Sequence, residues 1–396
     1  SMGLGNYKMV NDNSIYYKEE HILLRKMVRE FAQNELAPLA LEIDSKSKFP
    51  SESIKKLSKL GLMGIPWDPK YGGGGMDTLS LVITIEELAK VCVSTAVTLM
   101  AHTSLGTGPF DYFGTTEQKE KYLTKLASGE MIGSFALTEP NAGSDAGNTQ
   151  TKAVLEGDEY IVNGQKVFCT NVGYAGCLIF TSKIIENGVD LGIGALYINP
   201  DTKGINLGEP ENKMGWKGSD TRSIYFDQLH VPKKNILGTP GQGFKQFLKT
   251  LTIGRISISA LGLGISVGAY ELALKYSNER SAFGKKINNF QAISFKLADM
   301  YTQISASRQL IYHAAWLKDQ GKDMIKDAAV AKLFSSESAM KITTDAIQIH
   351  GGYGYIEDYH VERFFRDAKI LEIGEGTSEV QRIVIAREIL KKYSAS

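Results

Sequence analysis

Residues 348–387 read QIHGGYGYIEDYHVERFFRDAKILEIGEGTSEVQRIVIAR and contain an isolated carboxylate, Glu375. Glu375 stands alone between Gly374 and Gly376, where backbone can approach a flat ligand closely. Thr377 then opens an amphipathic run, so Glu375 is expected at or just before a helix N-terminus. Such a carboxylate suits proton abstraction. Taken locally, it is more typical of an ordinary first-turn acid that the helix dipole stabilises.

Composition indicates a globular protein of 396 residues, long enough for two or three domains. A formal net charge of +1 argues against nucleic acid or an anionic membrane as the main partner. We find no uninterrupted apolar run long enough to cross a membrane. Cys92, Cys169 and Cys177 form no CxxC pair, which favours a reducing compartment and roles as small core residues. The six histidines show no HExxH spacing, so no metal is expected.

Helical periodicity governs the first third of the chain. It predicts one helix over about 18–43 and another from Ser51 whose apolar face includes Leu60. A third helix is expected over about 79–91. The segment 115–118 reads as a capping box that opens one more helix. The first third is therefore predicted to be entirely helical.

The period changes between about residues 132 and 237, where short apolar or alternating runs predict strands. Gly157-Asp158 and Asn163-Gly164 are typical of hairpin turns. The pattern predicts a small antiparallel β-domain.

Helical periodicity returns from Gly243 onward, and the long amphipathic segments predict a bundle of four helices over about 254–276, 290–319, 325–349 and 377–392. The predicted fold class is α+β, mainly α. It comprises an N-terminal helical domain (1–129), a central antiparallel β-domain (130–240) and a C-terminal four-helix domain (241–396).

Two segments of the β-region could hold a flat polar ring. Residues 135–145 join a strand to a loop rich in hydroxyls and free backbone donors, although on composition alone they are turn formers. Phe168 and Thr170 would present an aromatic face and a hydroxyl on the same side of a strand. They are equally typical of β-formers that face a core.

Two segments of the C-terminal region could hold phosphate or backbone-contacting ligands. Arg280 and Gln291 lie at a break between two helices and would suit a pyrophosphate, unless Arg280 only caps a helix. Residues 348–354 are glycine-rich but follow no strand, so they predict no dinucleotide-binding Rossmann motif. They could equally be a loop that ends a helix.

Together these segments resemble the acyl-CoA dehydrogenase family, most closely its short-chain, butyryl-CoA-like bacterial branch. The resemblance covers nearly the whole chain and rests on five ordered motifs: FALTEPNAGSDAG (135–147), NGQKVFCTN (163–171), ERSAFGKKINNFQ (279–291), HGGYGY (350–355) and IGEGTSEVQR (373–382). The family has helical, β and four-helix domains that bind FAD, usually in a homotetramer. The acyl-CoA dehydrogenase fold is therefore expected.

The resemblance also implies residue roles. The expected FAD contacts are Phe135, Leu137, Thr138, Phe168 and Thr170 around the ring, with Arg280, Phe283, Gln291, Gln348, Gly351, Gly352, Thr377 and Glu379 at the diphosphate and adenosine part across a subunit boundary. The expected substrate contacts are Ser144, Arg255, Gly374, Gly376 and Arg387. The implied reaction is α,β-dehydrogenation of a short-chain or branched short-chain acyl-CoA to the trans-2-enoyl-CoA, with Glu375 as base and hydride transfer to flavin N5.

Two glycines refine this expectation. Many relatives have a tyrosine at the position of Gly374, so this chain should have a wider acyl pocket. Relatives that carry the base on the preceding helical segment need a carboxylate just before the arginine that corresponds to Arg255. This chain has Gly254 there, which leaves Glu375 as the base.

Partners and alternatives follow from the same resemblance. An electron-transferring flavoprotein is the implied electron acceptor, and direct reaction with oxygen stays open. A bacterial protein of this kind would be cytoplasmic, and a eukaryotic one would lie in the mitochondrial matrix. The alternatives are a flavoprotein oxidase of the same fold acting on another substrate and a helical scaffold without cofactor.

Overall fold

The computed structural model describes residues 14–395, so the first residues of the predicted N-terminal domain lie outside the described part. The N-terminal region is helical and contains α1 (Glu19–Phe31), α2 (Ala40–Ser45), α3 (Ser51–Lys59), α4 (Thr78–Ala89), α5 (Val93–Ala101), α6 (Gly108–Phe113), α7 (Thr116–Gln118) and α8 (Thr124–Ser128). The capping box is present. Thr115 Oγ1 accepts from the Gln118 backbone N–H at 3.2 Å, and Gln118 Oε1 accepts from the Thr115 N–H at 3.0 Å.

Two details of the helical prediction are wrong. The helix predicted over 18–43 is divided, because a π-helical stretch (Ala32–Leu36) and a short break separate α1 from α2. Leu60 is exposed because α3 ends at Lys59, before the next turn could bring its side chain onto the buried face. The third predicted helix is present as α4, and it is buried on all sides.

The central region is a sheet with β1 (Gly133–Ala136), β2 (Lys152–Glu156), β3 (Glu159–Thr170), β4 (Cys177–Glu186), β5 (Val189–Ile198), β6 (Ile205–Leu207), β7 (Thr221–Pro232) and β8 (Ile236–Leu237). Its order is β6-β7-β3-β2-β4-β5-β8, and β1 also pairs with β4. The sheet is mixed rather than wholly antiparallel, because β4 pairs in parallel with both β1 and β2. Periodicity alone cannot distinguish the two kinds of pairing.

Only one of the two predicted hairpin turns exists among the described strands. Gly157-Asp158 joins β2 to β3, whose pairing starts at Glu156 and Glu159. Asn163-Gly164 instead lies inside β3, where the register with β7 shifts between Val162 and Gly164. A glycine within a strand often marks such a bulge, and this accounts for the misplaced turn.

The C-terminal region contains the four predicted long helices and one short helix that was not predicted. They are α9 (Gly243–Glu279), α10 (Gln291–Asp319), α11 (Ile325–His350), α12 (Val361–Ala368) and α13 (Ser378–Ser394). A small hairpin of β9 (Ser281–Ala282) and β10 (Lys285–Lys286) connects α9 to α10. The three-part fold class is thereby confirmed.

Helix α9 runs through the centre of the helical regions. By length and composition it could cross a membrane, although polar residues interrupt its sequence, and 89% of its most apolar window is buried inside the protein. A core helix of a folded domain has these same properties. Its glycines allow close packing: a Cβ at Gly264 would lie 2.6 Å from the backbone oxygen of Glu86 in α4. Helices α4 and α9 therefore approach closely.

A buried ion cluster joins α1, α4 and α10. The carboxylate of Glu86 accepts hydrogen bonds from Arg25 and Arg308, and Tyr312 also donates to it at 3.1 Å. Arg25 additionally donates to Glu87 at 2.6 Å. All five side chains are almost fully buried, so the charged groups are stabilised by one another and by hydrogen bonds rather than by water.

We predict that Arg308→Met will lower the free energy of unfolding by about 3–5 kcal/mol, because it removes one cation from a buried cluster and leaves Glu86 undercompensated. The measurement is the urea unfolding midpoint of the variant and of the wild type. The exposed pair Lys55–Glu52 provides the control, since Lys55→Met removes an ion pair at 3.1 Å in solvent. Equal shifts for the two variants would contradict the prediction.

Candidate active site

The loop that carries Glu375 lies directly before α13. Glu375 and Gly376 have φ angles of +54° and +88°, so two successive residues are left-handed. Thr377 is the N-cap, and its Oγ1 accepts from the Val380 backbone N–H at 3.1 Å. Glu375 therefore precedes the helix, as predicted, and lies ahead of the first turn rather than within it. A left-handed non-glycine residue costs about 1–2 kcal/mol, which the surroundings must offset.

The carboxylate of Glu375 is enclosed against α9. The residue as a whole is half-buried, but its Oε2 is buried and has no hydrogen-bond partner within residues 14–395. A Cβ at Gly254 would lie 3.0 Å from this oxygen. Burial raises the pKa of Glu375 to about 7, although Lys332 and Arg255 oppose the shift. The carboxyl can therefore take up and release a proton near neutral pH.

Two of the predicted substrate contacts are the arginines of this site. Arg255 is buried beside Gly254, and its Nε has no hydrogen-bond partner among the described residues. Burial lowers the pKa of Arg255; Glu375 raises it, and Arg387 lowers it further. Arg387 is itself exposed on α13. The two arginines are therefore close enough for their charges to interact. Arg255 lies inside the site, and Arg387 lies at the surface.

Lys332 is a site residue that the sequence analysis missed. It is 1% exposed on α11, and its ammonium group donates to the backbone oxygen of Gly374 at 2.5 Å and to that of Gly376. Burial lowers the pKa of Lys332 to about 8, and Glu375 opposes this. A lone lysine within the apolar run 328–334 was the available signal, because an isolated buried cation needs partners.

The loop after β1 is anchored by a second buried lysine. Lys166 donates to the backbone oxygen of Leu137 at 3.0 Å and to Glu139 Oε2 at 2.8 Å. The Thr138 oxygen accepts from the Val167 backbone N–H at 2.8 Å. The structure therefore brings this loop against β3, where Phe168 was predicted to act with it. Lys166 and Glu139 were not predicted to have this role.

The strand around Phe168 is not regular, contrary to the sequence analysis. The register of β3 shifts between Lys166 and Cys169, and Phe168 has a φ of +56°. Strict alternation therefore does not apply here, although Phe168 and Thr170 are both more exposed than the buried Cys169 between them, and their common side stays a prediction. Phe168 as a whole residue is 68% exposed, so it is accessible to a ligand. Phe135 instead packs on Phe247 of α9, with ring centroids 5.7 Å apart.

Arg280 and the glycines at the end of α11 share one cavity. It has a volume of about 400 Å³, and its lining includes Tyr276, Arg280, Gly351, Gly352 and Tyr353. A Cβ at either glycine would meet nothing within 4 Å, so backbone is accessible there. Arg280 directly follows the last residue of α9, and its guanidinium lies 5.6 Å from the Tyr353 ring centroid. Arg280 therefore lies at a helix end and also contributes a positive charge to a cavity in which the backbone of Gly351 and Gly352 is accessible.

Other predicted contacts lie on the surface of the single chain and are exposed: Ser144, Phe283, Gln291, Gln348 and Glu379. Phe283 is the extreme case, at 95% exposed on the tip of the β9–β10 hairpin. Within one chain these residues are therefore accessible to a ligand or to another subunit.

One group of side chains has the composition of a metal site, namely Glu20, His21 and Asp77. His21 Nε2 lies 2.9 Å from the Asp77 carboxylate, and Nδ1 accepts from the Lys18 backbone N–H at 2.9 Å. Both ring nitrogens are therefore engaged. The group ties the start of α1 to the start of α4.

Comparison with known proteins covers most of the chain. Three acyl-CoA dehydrogenase family models match: the N-terminal domain over residues 18–130, the middle domain over 134–229 and the C-terminal domain over 241–390. The chain is 52% identical to a probable acyl-CoA dehydrogenase, YngJ, of Bacillus subtilis, over 94% of this chain and 98% of that protein. It is 48% identical to the short-chain-specific acyl-CoA dehydrogenase of Clostridium acetobutylicum, with the same coverage.

A solved structure gives the same result in three dimensions. The butyryl-CoA dehydrogenase of Megasphaera elsdenii superposes with a TM-score of 0.91 at 44% identity, over 94% of this chain and 99% of that one. The helical, β and helical regions agree with the three family models that match, and the chain belongs to the acyl-CoA dehydrogenase family.

Proposed function

We propose that this acyl-CoA dehydrogenase converts a short-chain or branched short-chain acyl-CoA to the trans-2-enoyl-CoA, with Glu375 as the base that removes the α-proton. The observation that carries the proposal is the buried, unpartnered Oε2 of Glu375. A carboxylate without a hydrogen-bond donor is free to accept a proton, and its raised pKa matches that task at neutral pH. Gly254 leaves no second carboxylate at this position.

FAD is the cofactor of this flavoprotein oxidoreductase. When bound, it supplies the acceptor for the hydride that leaves the β-carbon. The described residues fit it: the ring of Phe168 is exposed beside the Thr138 loop, and Arg280 with Gly351 and Gly352 offers a cation and open backbone for a diphosphate. We propose the remaining predicted FAD contacts as well: Phe135, Leu137, Thr170, Phe283, Gln291, Gln348, Thr377 and Glu379.

The substrate contacts are proposed on the same basis. Arg255 and Arg387 place positive charge near the site for the phosphates of CoA, while Gly374 and Gly376 shape the acyl end around Glu375. Ser144 is exposed on the loop after β1, where the CoA arm could reach it.

Subunit and redox partners are also proposals. The exposed apolar side chains of Phe283 and Tyr355, together with Ile383 and Leu390 of α13, support assembly into a homotetramer. We propose an electron-transferring flavoprotein as the acceptor. We also propose domain boundaries after residues 129 and 240. The proposed location is the cytoplasm for a bacterial protein and the mitochondrial matrix for a eukaryotic one.

Glu375→Gln should retain FAD and acyl-CoA binding but lose about 10²- to 10⁴-fold in the rate of flavin reduction, because the amide cannot accept the α-proton. The measurement is stopped-flow bleaching of the bound flavin by butyryl-CoA under anaerobic conditions. Near-normal bleaching by the variant would exclude Glu375 as the base.

The rate of flavin reduction should depend on pH through Glu375. Because the pKa of this group is about 7 and the deprotonated form is the base, the rate should fall about tenfold for each pH unit below the pKa and level off above it. The profile is measured between pH 5.5 and 8 at butyryl-CoA concentrations well below saturation, where the rate reports the pKa of the ligand-free enzyme. A rate independent of pH throughout that range would contradict the assignment.

Gly374→Tyr should shift specificity towards linear substrates. Its backbone is not left-handed, and a Cβ there would meet only Ile370 atoms at 3.5 and 3.7 Å, so the larger side chain has room to start. Filling the pocket should lower the ratio of kcat/KM for isobutyryl-CoA to that for butyryl-CoA by about 10-fold or more. Gly374→Ala is the matched control and should leave the ratio nearly unchanged. An unchanged ratio in the tyrosine variant would show that Gly374 does not border the acyl pocket.

A further inference from the structure

The ammonium group of Lys332 contacts the backbone on both sides of Glu375 without bonding to its carboxylate. It donates to the oxygen of Gly374 at 2.5 Å and to the oxygen of Gly376. A buried lysine normally pairs with an acidic side chain, and Glu375 is close enough to raise its pKa. Two of the three N–H donors are nevertheless engaged by carbonyls. The contact of Lys332 therefore fixes the backbone conformation of residues 374–376.

Peptide geometry converts this contact into an orientation. The oxygen of Gly374 belongs to the same peptide unit as the N–H of Glu375, and in a trans peptide these two groups point in opposite directions. Holding the oxygen towards Lys332 therefore aims the Glu375 N–H away from Lys332. That N–H makes no hydrogen bond within the described part of the chain.

The free N–H has a defined use if Glu375 removes an α-proton. The electrons left on the α-carbon move onto the adjacent thioester oxygen, which then needs a hydrogen-bond donor. The base and that N–H belong to one residue, so the acyl group that reaches the carboxylate lies next to the N–H. We propose that Lys332 is a positioning residue for thioester activation: it fixes the Gly374–Glu375 peptide so that the Glu375 N–H faces the substrate carbonyl.

This inference rests on the proposed function and adds a residue that the sequence motifs do not include. It also accounts for the left-handed Glu375, since two hydrogen bonds from a cation can offset the strain of that conformation. Gln381 supports the loop from the other side, because its Nε2 donates to the Gly376 oxygen at 3.0 Å and, among the described residues, not to the Gly374 oxygen. Substitutions of Lys332 and Gln381 therefore distinguish the effect of the Gly374 contact from that of the Gly376 contact.

The test compares Lys332→Met, Lys332→Gln and the control Gln381→Met in the FAD-loaded enzyme. Lys332→Met removes the donors to both carbonyls, and Lys332→Gln keeps an amide donor without charge. Gln381→Met removes one donor to Gly376 only. The first readout is the infrared stretching frequency of the ¹³C-labelled thioester carbonyl in bound crotonyl-CoA, a product that does not turn over. The second is the rate of flavin reduction by butyryl-CoA, with dissociation constants, FAD content and thermal stability measured alongside.

We expect the carbonyl frequency in Lys332→Met to return towards that of free crotonyl-CoA and the reduction rate to fall about 10- to 100-fold, as for a misaligned oxyanion donor. Gln381→Met should change both far less, and Lys332→Gln should lie between Lys332→Met and the wild type. If loss of charge alone were responsible, Lys332→Gln would equal Lys332→Met, and that result would overturn the proposal.

Two further outcomes are decisive. A wild-type carbonyl shift in Lys332→Met overturns the positioning role while leaving the proposed function intact, provided that wild-type flavin is bleached by butyryl-CoA. If no short-chain acyl-CoA bleaches the wild type, the proposed function itself is wrong and this inference fails with it. Should Lys332→Met fail to fold, Lys332→Gln is compared directly with Gln381→Met, and equal carbonyl shifts in those two variants count against Lys332.

Discussion

The carboxylate of Glu86 is the contact on which the two helical regions depend. It lies on α4 and accepts hydrogen bonds from Arg25 of α1 and Arg308 of α10, and all three side chains are almost fully buried. Because no solvent can replace a missing partner, three helices that are distant in sequence are held in one relative arrangement. Specific placement, more than net stability, is the expected consequence, since buried ion pairs gain little over well-packed apolar residues.

The active site inherits its geometry from that arrangement. Helix α4 packs closely on α9 at Gly264, and α9 carries Gly254 towards the Glu375 carboxylate. Helix α11, which packs along α9, supplies Lys332 to the same loop. The loop forms a turn in which the Gly374 N–H donates to the Ile370 oxygen at 2.8 Å, and its place is set by two helices that the N-terminal region helps to fix. Such support from rigid elements is what precise placement of a catalytic group requires.

The sequence predicted much of this fold because its periodicities are long and its end signals are explicit. The capping box at Thr115 is where it was expected, and the long C-terminal helices were found within a few residues except at the start of α9. The errors in the β-region have a common cause. The parallel pairing of β4, the bulge at Gly164 and the irregular backbone of Phe168 all depend on which strand lies alongside, and this is not encoded in local alternation.

The same distinction explains what was found and missed in the site. Glu375 was identifiable because it lies in one of five ordered motifs that resemble the family's, although its local sequence alone is typical of an ordinary first-turn acid. Lys332 and Lys166 were not, because their partners are backbone oxygens of residues distant in sequence. The hydrogen bonds of Lys332 nevertheless explain how Glu375 can remain a reactive base beside a cation. Had Lys332 donated directly to the Glu375 carboxylate, the ion pair would have held that group deprotonated and poorly basic. Because two of its N–H donors are engaged by the flanking carbonyls, Glu375 Oε2 is left unpartnered and burial dominates its pKa.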